Sequence, residues 1–221
     1  TGLIRMKPDE TFEVISEGIF DDSYGLNLAI YSMVRDIDNP DLIWLGTEGG
    51  GLFQLNIREN STDISEYIEK GSHLSGEFVT SFFWGSDSLL WIGTERGLNS
   101  LDTRKKLFTF YNSAIEAESP ISFGNVFAIT EYDKSLFLCT EKNGIVKFDL
   151  KSKKFSTFLS TTTSNATLPS NDVRTIHIKD GKLFYIGTNL GFSVFDLKSE
   201  TIRSYTLEDG LPNEMIYGIL E

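Results

Sequence analysis

One pattern recurs four times along the chain and limits what it can fold into. An aromatic residue, a bulky apolar residue, a small residue and Thr are followed, three or four positions after the Thr, by a Gly that opens a short apolar run. The copies are Trp44-Leu45-Gly46-Thr47 leading to Gly51-Leu52-Phe53, Trp91-Ile92-Gly93-Thr94 leading to Gly97-Leu98-Asn99, Phe137-Leu138-Cys139-Thr140 leading to Gly144-Ile145-Val146, and Tyr185-Ile186-Gly187-Thr188 leading to Gly191-Phe192-Ser193. A period of about 47 residues is the sequence signature of a solenoid, a propeller or an array.

Within one unit apolar and polar residues alternate over short runs, and no stretch holds a helical period. A first strand is predicted at Ile30 to Val34, Val79 to Phe83, Val126 to Ile129, Val173 to Ile176 and Ile216 to Ile219. The aromatic-containing run is the second strand, and the third begins at the following Gly. After it comes a turn with nearly the same string in three copies: Asp102-Thr103-Arg104-Lys105-Lys106, Asp149-Leu150-Lys151-Ser152-Lys153 and Asp196-Leu197-Lys198-Ser199-Glu200. The fourth strand runs through Phe108 to Tyr111, Phe155 to Phe158 or Ile202 to Tyr205. Four short strands in roughly 40 to 50 residues describe one blade of a β-propeller, with antiparallel strands in each blade. A β-helix uses shorter coils, and leucine-rich or ankyrin arrays need helices that are missing from the pattern. Aromatic, Gly and Thr are then packing elements, since repetition in every unit is what packing requires.

The opening residues Gly2 to Met6 and Phe12 to Ile15 match the third and fourth strands of a unit, and the last residues match a first strand. The expected division is a partial blade over 1–20, full blades over about 26–70, 74–115, 121–160 and 168–207, and the first strand of a further blade over 212–221. Joining the two ends would make a blade with no second strand and two unpaired edges, so the expectation is an incomplete piece of a larger propeller. The Ser/Thr-rich stretch Ser160 to Ser164 falls where the loop after a fourth strand belongs.

At 40% hydrophobic and 13% aromatic the chain buries a substantial core. The net charge of −12 disfavours nucleic acid, whose binding needs clustered Lys and Arg. Acidic loops suit a neutral polar ligand or a cation. The single cysteine, Cys139, excludes an internal disulfide and takes the small-residue position of the motif. His73 and His177 fall in different parts of the repeat, and no zinc, phosphate-loop or calcium spacing occurs, so no metal and no cofactor is expected. The acidic pairs Asp21-Asp22 and Glu116 to Glu118 would serve glycosidase chemistry only if two carboxylates converged across a cleft. Candidate ligand-binding residues lie on loops at one mouth of the central channel: Tyr24, Asn27, Asn125, Asn171 and Asn213 before first strands, and Glu48, Glu95, Arg96, Lys142, Asn143 and Asn189 between second and third strands.

The runs Leu42 to Leu52 and Leu90 to Leu98, and the segment Leu207-Glu208-Asp209-Gly210-Leu211-Pro212-Asn213-Glu214-Met215-Ile216, closely resemble the two-component regulator propeller repeat. That resemblance implies large propellers in the periplasmic sensor portion of bacterial hybrid histidine kinases, followed by a small immunoglobulin-like domain, a membrane helix and cytoplasmic kinase and receiver domains. None of the phosphotransfer residues maps here. The implied role is a non-catalytic extracytoplasmic sensor segment that recognises a small molecule or oligosaccharide. A homodimer and a membrane attachment are implied only through the parent chain. Aromatic platforms and side-chain amides suit sugar rings. A protein-interaction scaffold without kinase output is the alternative and would show an exposed apolar patch on the rim. A propeller enzyme comes third.

Overall fold

The computed structural model describes residues 3–14, 29–58, 63–66, 74–111, 123–163 and 166–220. They are all-β apart from one short 3-10 turn at Leu207–Asp209. A two-stranded antiparallel pair comes first, β1 (Ile4–Met6) with β2 (Phe12–Val14). Four four-stranded antiparallel sheets follow, each a plain meander in chain order. The first holds β3 (Ile30–Arg35), β4 (Leu42–Thr47), β5 (Leu52–Asn56) and β6 (Asp63–Glu66), and the second β7 (Val79–Trp84), β8 (Leu90–Thr94), β9 (Gly97–Asp102) and β10 (Leu107–Tyr111). The third holds β11 (Val126–Tyr132), β12 (Ser135–Thr140), β13 (Ile145–Asp149) and β14 (Phe155–Leu159), and the fourth β15 (Val173–Lys179), β16 (Leu183–Thr188), β17 (Gly191–Asp196) and β18 (Thr201–Tyr205). The sheets stand side by side, with β3 against β7, β7 against β11 and β11 against β15, an order compatible with a propeller-like fold.

Each seam between neighbouring sheets is a separate hydrophobic cluster, built by strand alternation. The motif aromatic turns toward the next sheet while its apolar neighbours turn back. Trp44 packs with Val79, Leu90 and Ile92 of the second sheet. Trp91 packs with Val126, Leu136 and Leu138 of the third, and Phe137 with Val173, Phe184 and Ile186 of the fourth. Burying each such Leu, Ile or Phe stabilises the fold by about 2 kcal/mol. Ala166 and Leu168, in the loop that follows β14, also drop into the seam between the third and fourth sheets.

The motif Gly exists because the next sheet comes too close for a side chain. A Cβ on Gly46 would lie 2.6 Å from Val79 Cγ1, and one on Gly93 2.6 Å from the Val126 carbonyl oxygen. Cys139 stands in register with Ala128, whereas Gly46, Gly93 and Gly187 face Ser32, Ser81 and Thr175. One departure from expectation is at the end: Ile216 to Ile219 form no strand. A strand needs a hydrogen-bonded neighbour, and no aromatic-x-Gly-Thr run follows Ile219 in this sequence to supply one. The segment is still tied to the fourth sheet, with the Ile216 N–H donating to the Thr188 carbonyl at 3.0 Å.

Candidate functional site

The turns after the motif Thr and the segments leading into the first strands meet at one end of the sheets. The Thr itself closes each turn. Its buried hydroxyl donates to the carbonyl of the following Gly, from Thr47 to Gly51 at 3.0 Å, Thr94 to Gly97 at 3.3 Å, Thr140 to Gly144 at 2.9 Å and Thr188 to Gly191 at 3.0 Å. It also accepts a turn N–H, from Gly50, Arg96, Asn143 and Leu190 respectively. A hydroxyl can do both at once, which an apolar β-branched residue cannot.

The closed turns are stitched to both adjoining first strands. The N–H after the Thr donates within its own sheet, Glu48 to Ala29, Glu95 to Phe78, Glu141 to Asn125 and Asn189 to Asp172. The Gly N–H donates outward to the next segment, Gly51 to Glu77 at 2.8 Å, Gly144 to Asn171 at 2.9 Å and Gly191 to Glu214 at 2.7 Å. These bonds make the rim a backbone framework on which variable side chains sit.

The structure gives the expected rim residues different tasks. Tyr24, Asn27 and His73 lie outside the described residues, as do Asp21, Asp22 and Glu116 to Glu118. The Glu95 carboxylate accepts the Phe78 N–H at 3.0 Å, and Glu141 in the same position accepts from both the Asn125 N–H and its Nδ2. These two carboxylates clasp the start of their first strands. The Asn171 Oδ1 accepts the Thr161 N–H at 2.8 Å, tying the segment before the fourth sheet to the one that leaves the third, and the Asn213 Oδ1 accepts the Met215 N–H at 2.9 Å, fixing a local turn. Glu48, Arg96 and Lys142 are exposed on the turn tips, with Arg96 Nε 3.5 Å from Glu95 Oε1. Asn143 is half-buried in its turn. Asn125 and Asn189 each keep a buried Oδ1 with no hydrogen-bond partner among the described residues.

Sequence reasoning missed a second set of rim residues. All four first strands slip register by one residue near their start, between Ile30 and Ser32, Val79 and Ser81, Val126 and Ala128, and Val173 and Thr175. The extra residue at each β-bulge is Tyr31, Thr80, Phe127 or Arg174, and bulges re-aim side chains next to binding sites. Each of the first three meets the following sheet. The Tyr31 ring stands edge-on to Phe78 at 4.8 Å, the Thr80 hydroxyl donates to the Val126 carbonyl at 2.7 Å, and the Arg174 guanidinium lies 4.0 Å above the Phe127 ring. Arg174 is held by Asp172, with Nη2 2.6 Å from Oδ2 and Nε 2.6 Å from Oδ1. The available signal was internal: this position runs through aromatic, hydroxyl and cationic residues, while the one before it is always a β-branched aliphatic and the one after it always small.

Two clefts lie elsewhere. One of about 260 Å³ sits at the opposite end of the first two sheets, lined by Asp36, Trp44, Gln54, Thr103, Arg104 and Lys106. Asp36 there accepts from Trp44 Nε1 at 2.8 Å and from the N–H groups of Asp38 and Asn39, so its carboxylate is occupied by structural bonds. The other, about 220 Å³, lies between Phe158, Ala166, Phe195 and Leu197, with Thr163 and Glu200 also on its wall. Among the described residues no group of three His, Cys, Asp or Glu is placed to hold a metal, and no helix is long and apolar enough to cross a membrane. Burial pushes the Cys139 thiol far above its ordinary pKa, so it stays protonated and unreactive in the seam.

No family model and no curated protein sequence matches the chain. Solved structures do match. The extracellular domain of the hybrid two-component system BT3049 from B. thetaiotaomicron superposes with a TM-score of 0.71 at 23% identity, over 93% of this chain and 27% of that one. The extracellular domain of BT4673 from the same organism gives 0.62 at 18% identity, over 80% and 21%. An auxiliary nutrient binding protein from B. thetaiotaomicron gives 0.53 at 15% identity, over 80% and 40%. The chain thus spans about a quarter of the length of the two-component domains it matches, and over that span it has the fold of the extracellular domains of hybrid two-component systems.

Proposed function

We propose that this chain is part of a β-propeller in the periplasmic sensor region of a hybrid two-component signalling protein, and that it recognises a small molecule or oligosaccharide without transforming it. The observation that carries the reading is the match of nearly the whole chain to an extracellular domain of such a system. It coincides with a repeat motif whose conspicuous residues are committed to packing and turn closure. The side-by-side order of four-stranded sheets supports the propeller, with each aromatic-x-Gly-Thr strand as the second strand of a blade repeating at about 47 residues. The nutrient-binding neighbour supports a soluble nutrient as the kind of signal. Membrane attachment and any dimer belong to the parent chain.

Signalling requires the ligand to favour one of two arrangements of the parent protein, since a ligand with equal affinity for both shifts nothing. The test is phosphotransfer in the full-length protein reconstituted in vesicles, with and without neutral and acidic oligosaccharides on the sensor side. A saturable change in phosphorylation with one class supports the reading. An unchanged rate across the whole set, while the same preparation responds to its cell extract, moves the signal out of the saccharide class.

A further inference from the structure

The four bulges share one register slip and vary most widely at the bulge residue itself. Before the bulge stands a β-branched aliphatic in every copy, Ile30, Val79, Val126 or Val173. After it stands a small residue, Ser32, Ser81, Ala128 or Thr175, in register with the motif Gly or Cys. Both flanking positions are fixed by the seams. The bulge residue alone runs through Tyr, Thr, Phe and Arg, so the fold prescribes where it stands and leaves its chemistry open.

We propose that Tyr31, Phe127 and Arg174 are the ligand-reading positions of the rim, and that they take a neutral saccharide; Thr80 is buried with its hydroxyl on the Gly93 and Val126 carbonyls and serves the seam instead. This rests on the sensor reading above. The first strands touch one another in sequence, so the bulge positions follow one another from sheet to sheet. Tyr31 is 48% exposed, which leaves ring surface open beside Phe78. Arg174 and Asp172 neutralise each other, Nη2 donating to Oδ2 with Nε close beside Oδ1, and the guanidinium lies on the Phe127 face. Nε and Oδ1 of that pair are buried, so what it offers a ligand is the remaining guanidinium N–H groups and Oδ2, without a net charge. That matches hydroxyl groups, which donate and accept, better than it matches an anion. The chain's charge of −12 further opposes an acidic glycan.

The test is isothermal titration of the complete extracytoplasmic region with size-fractionated neutral oligosaccharides from hydrolysed plant and yeast polysaccharides, against oligogalacturonates of matched length. The expected result is saturable heat with a neutral fraction only, weakened about tenfold or more by Tyr31→Ala and by Arg174→Gln. Lys182→Ala, at the far end of the fourth sheet, leaves it unchanged. Tyr31 is exposed, so its variant keeps the parent unfolding temperature and separates lost recognition from lost folding. Neutral binding that survives both variants overturns the bulge site and leaves the saccharide sensor standing. Binding of the galacturonates alone overturns the neutral class. Heat with no fraction overturns the saccharide reading and this site together.

Discussion

The seam between the second and third sheets and the seam between the third and fourth solve the same close approach with different residues. At the first, Gly93 is in register with Ser81, whose hydroxyl donates to the Val126 carbonyl of the next sheet at 2.6 Å. At the second, Cys139 is in register with Ala128, and no hydroxyl reaches across from that position. The side chain has moved from the first strand to the second, and a sulfur fills the space that a hydroxyl occupies elsewhere. What the fold conserves is the filling of the seam, so a motif read as Gly is a statement about two strands and their neighbour.

The largest expected effect comes from forcing one solution into the other's place. Gly93→Cys puts a Cβ 2.6 Å from the Val126 carbonyl and against Ser81, and it should destabilise the fold by about 3 kcal/mol. Adding Ser81→Ala reproduces the third sheet's pair and should recover about 1 kcal/mol of that, read as a coupling in denaturant titrations of the two single variants and the double. Purely additive losses would break the comparison. Cys139 alkylation by iodoacetamide offers an independent readout, because the buried thiol reacts only when its seam opens.

A second comparison concerns the two motif tryptophans. Trp44 Nε1 donates to Asp36, whereas Trp91 Nε1 is buried with no hydrogen-bond partner among the described residues, and Gly85 stands where Asp36 stands in the first sheet. Asp36→Ala removes the acceptor of three N–H groups and should cost about 2 to 3 kcal/mol. Trp44→Phe should cost about 1 kcal/mol more than Trp91→Phe, since only the former breaks a made bond. Equal losses in thermal unfolding would show that the indole bond contributes nothing.

Thr140→Val keeps the shape of the motif residue while removing its bonds to the Gly144 carbonyl and the Asn143 N–H. It should cost about 1 to 2 kcal/mol by chemical denaturation, with the loss shared by the equivalent Thr positions. The smallest effect is on pH. The Asp102 carboxyl is held below its ordinary pKa first by the Lys105 side chain, and those of Asp149 and Asp196 by N–H groups of Ser152 and of Ser199 and Lys198. A depressed carboxylate contributes stability above its unfolded pKa, near 4, and loses it as pH falls through the lower folded value. The three turns should therefore loosen together only below about pH 4, with little change between pH 5 and 8. An Asp196→Asn variant should show a shallower acid limb.

Most of the architecture was legible because each repeat carries its own strand signals: alternation, a turn Gly and a turn Asp. The strand expected at Ile216 to Ile219 shows where that reading stops, since local pattern cannot supply the neighbour that a strand requires. The rim was legible by location and less so by role. Glu95 and Glu141 look like solvent-facing loop carboxylates in sequence, yet their partners are N–H groups of Phe78 and Asn125, more than a dozen residues away in the chain. The bulge was hidden for a simpler reason: an extra residue in one strand appears only when the register against the next strand is known.

The most direct test is hydrogen–deuterium exchange of the complete extracytoplasmic region with and without the saturating neutral oligosaccharide fraction. Added protection confined to peptides covering 29–32, 125–128 and 172–175 is the predicted result. Protection at the opposite end of the sheets, in the turns 102–106 and 149–153, with none at the bulges would contradict the account.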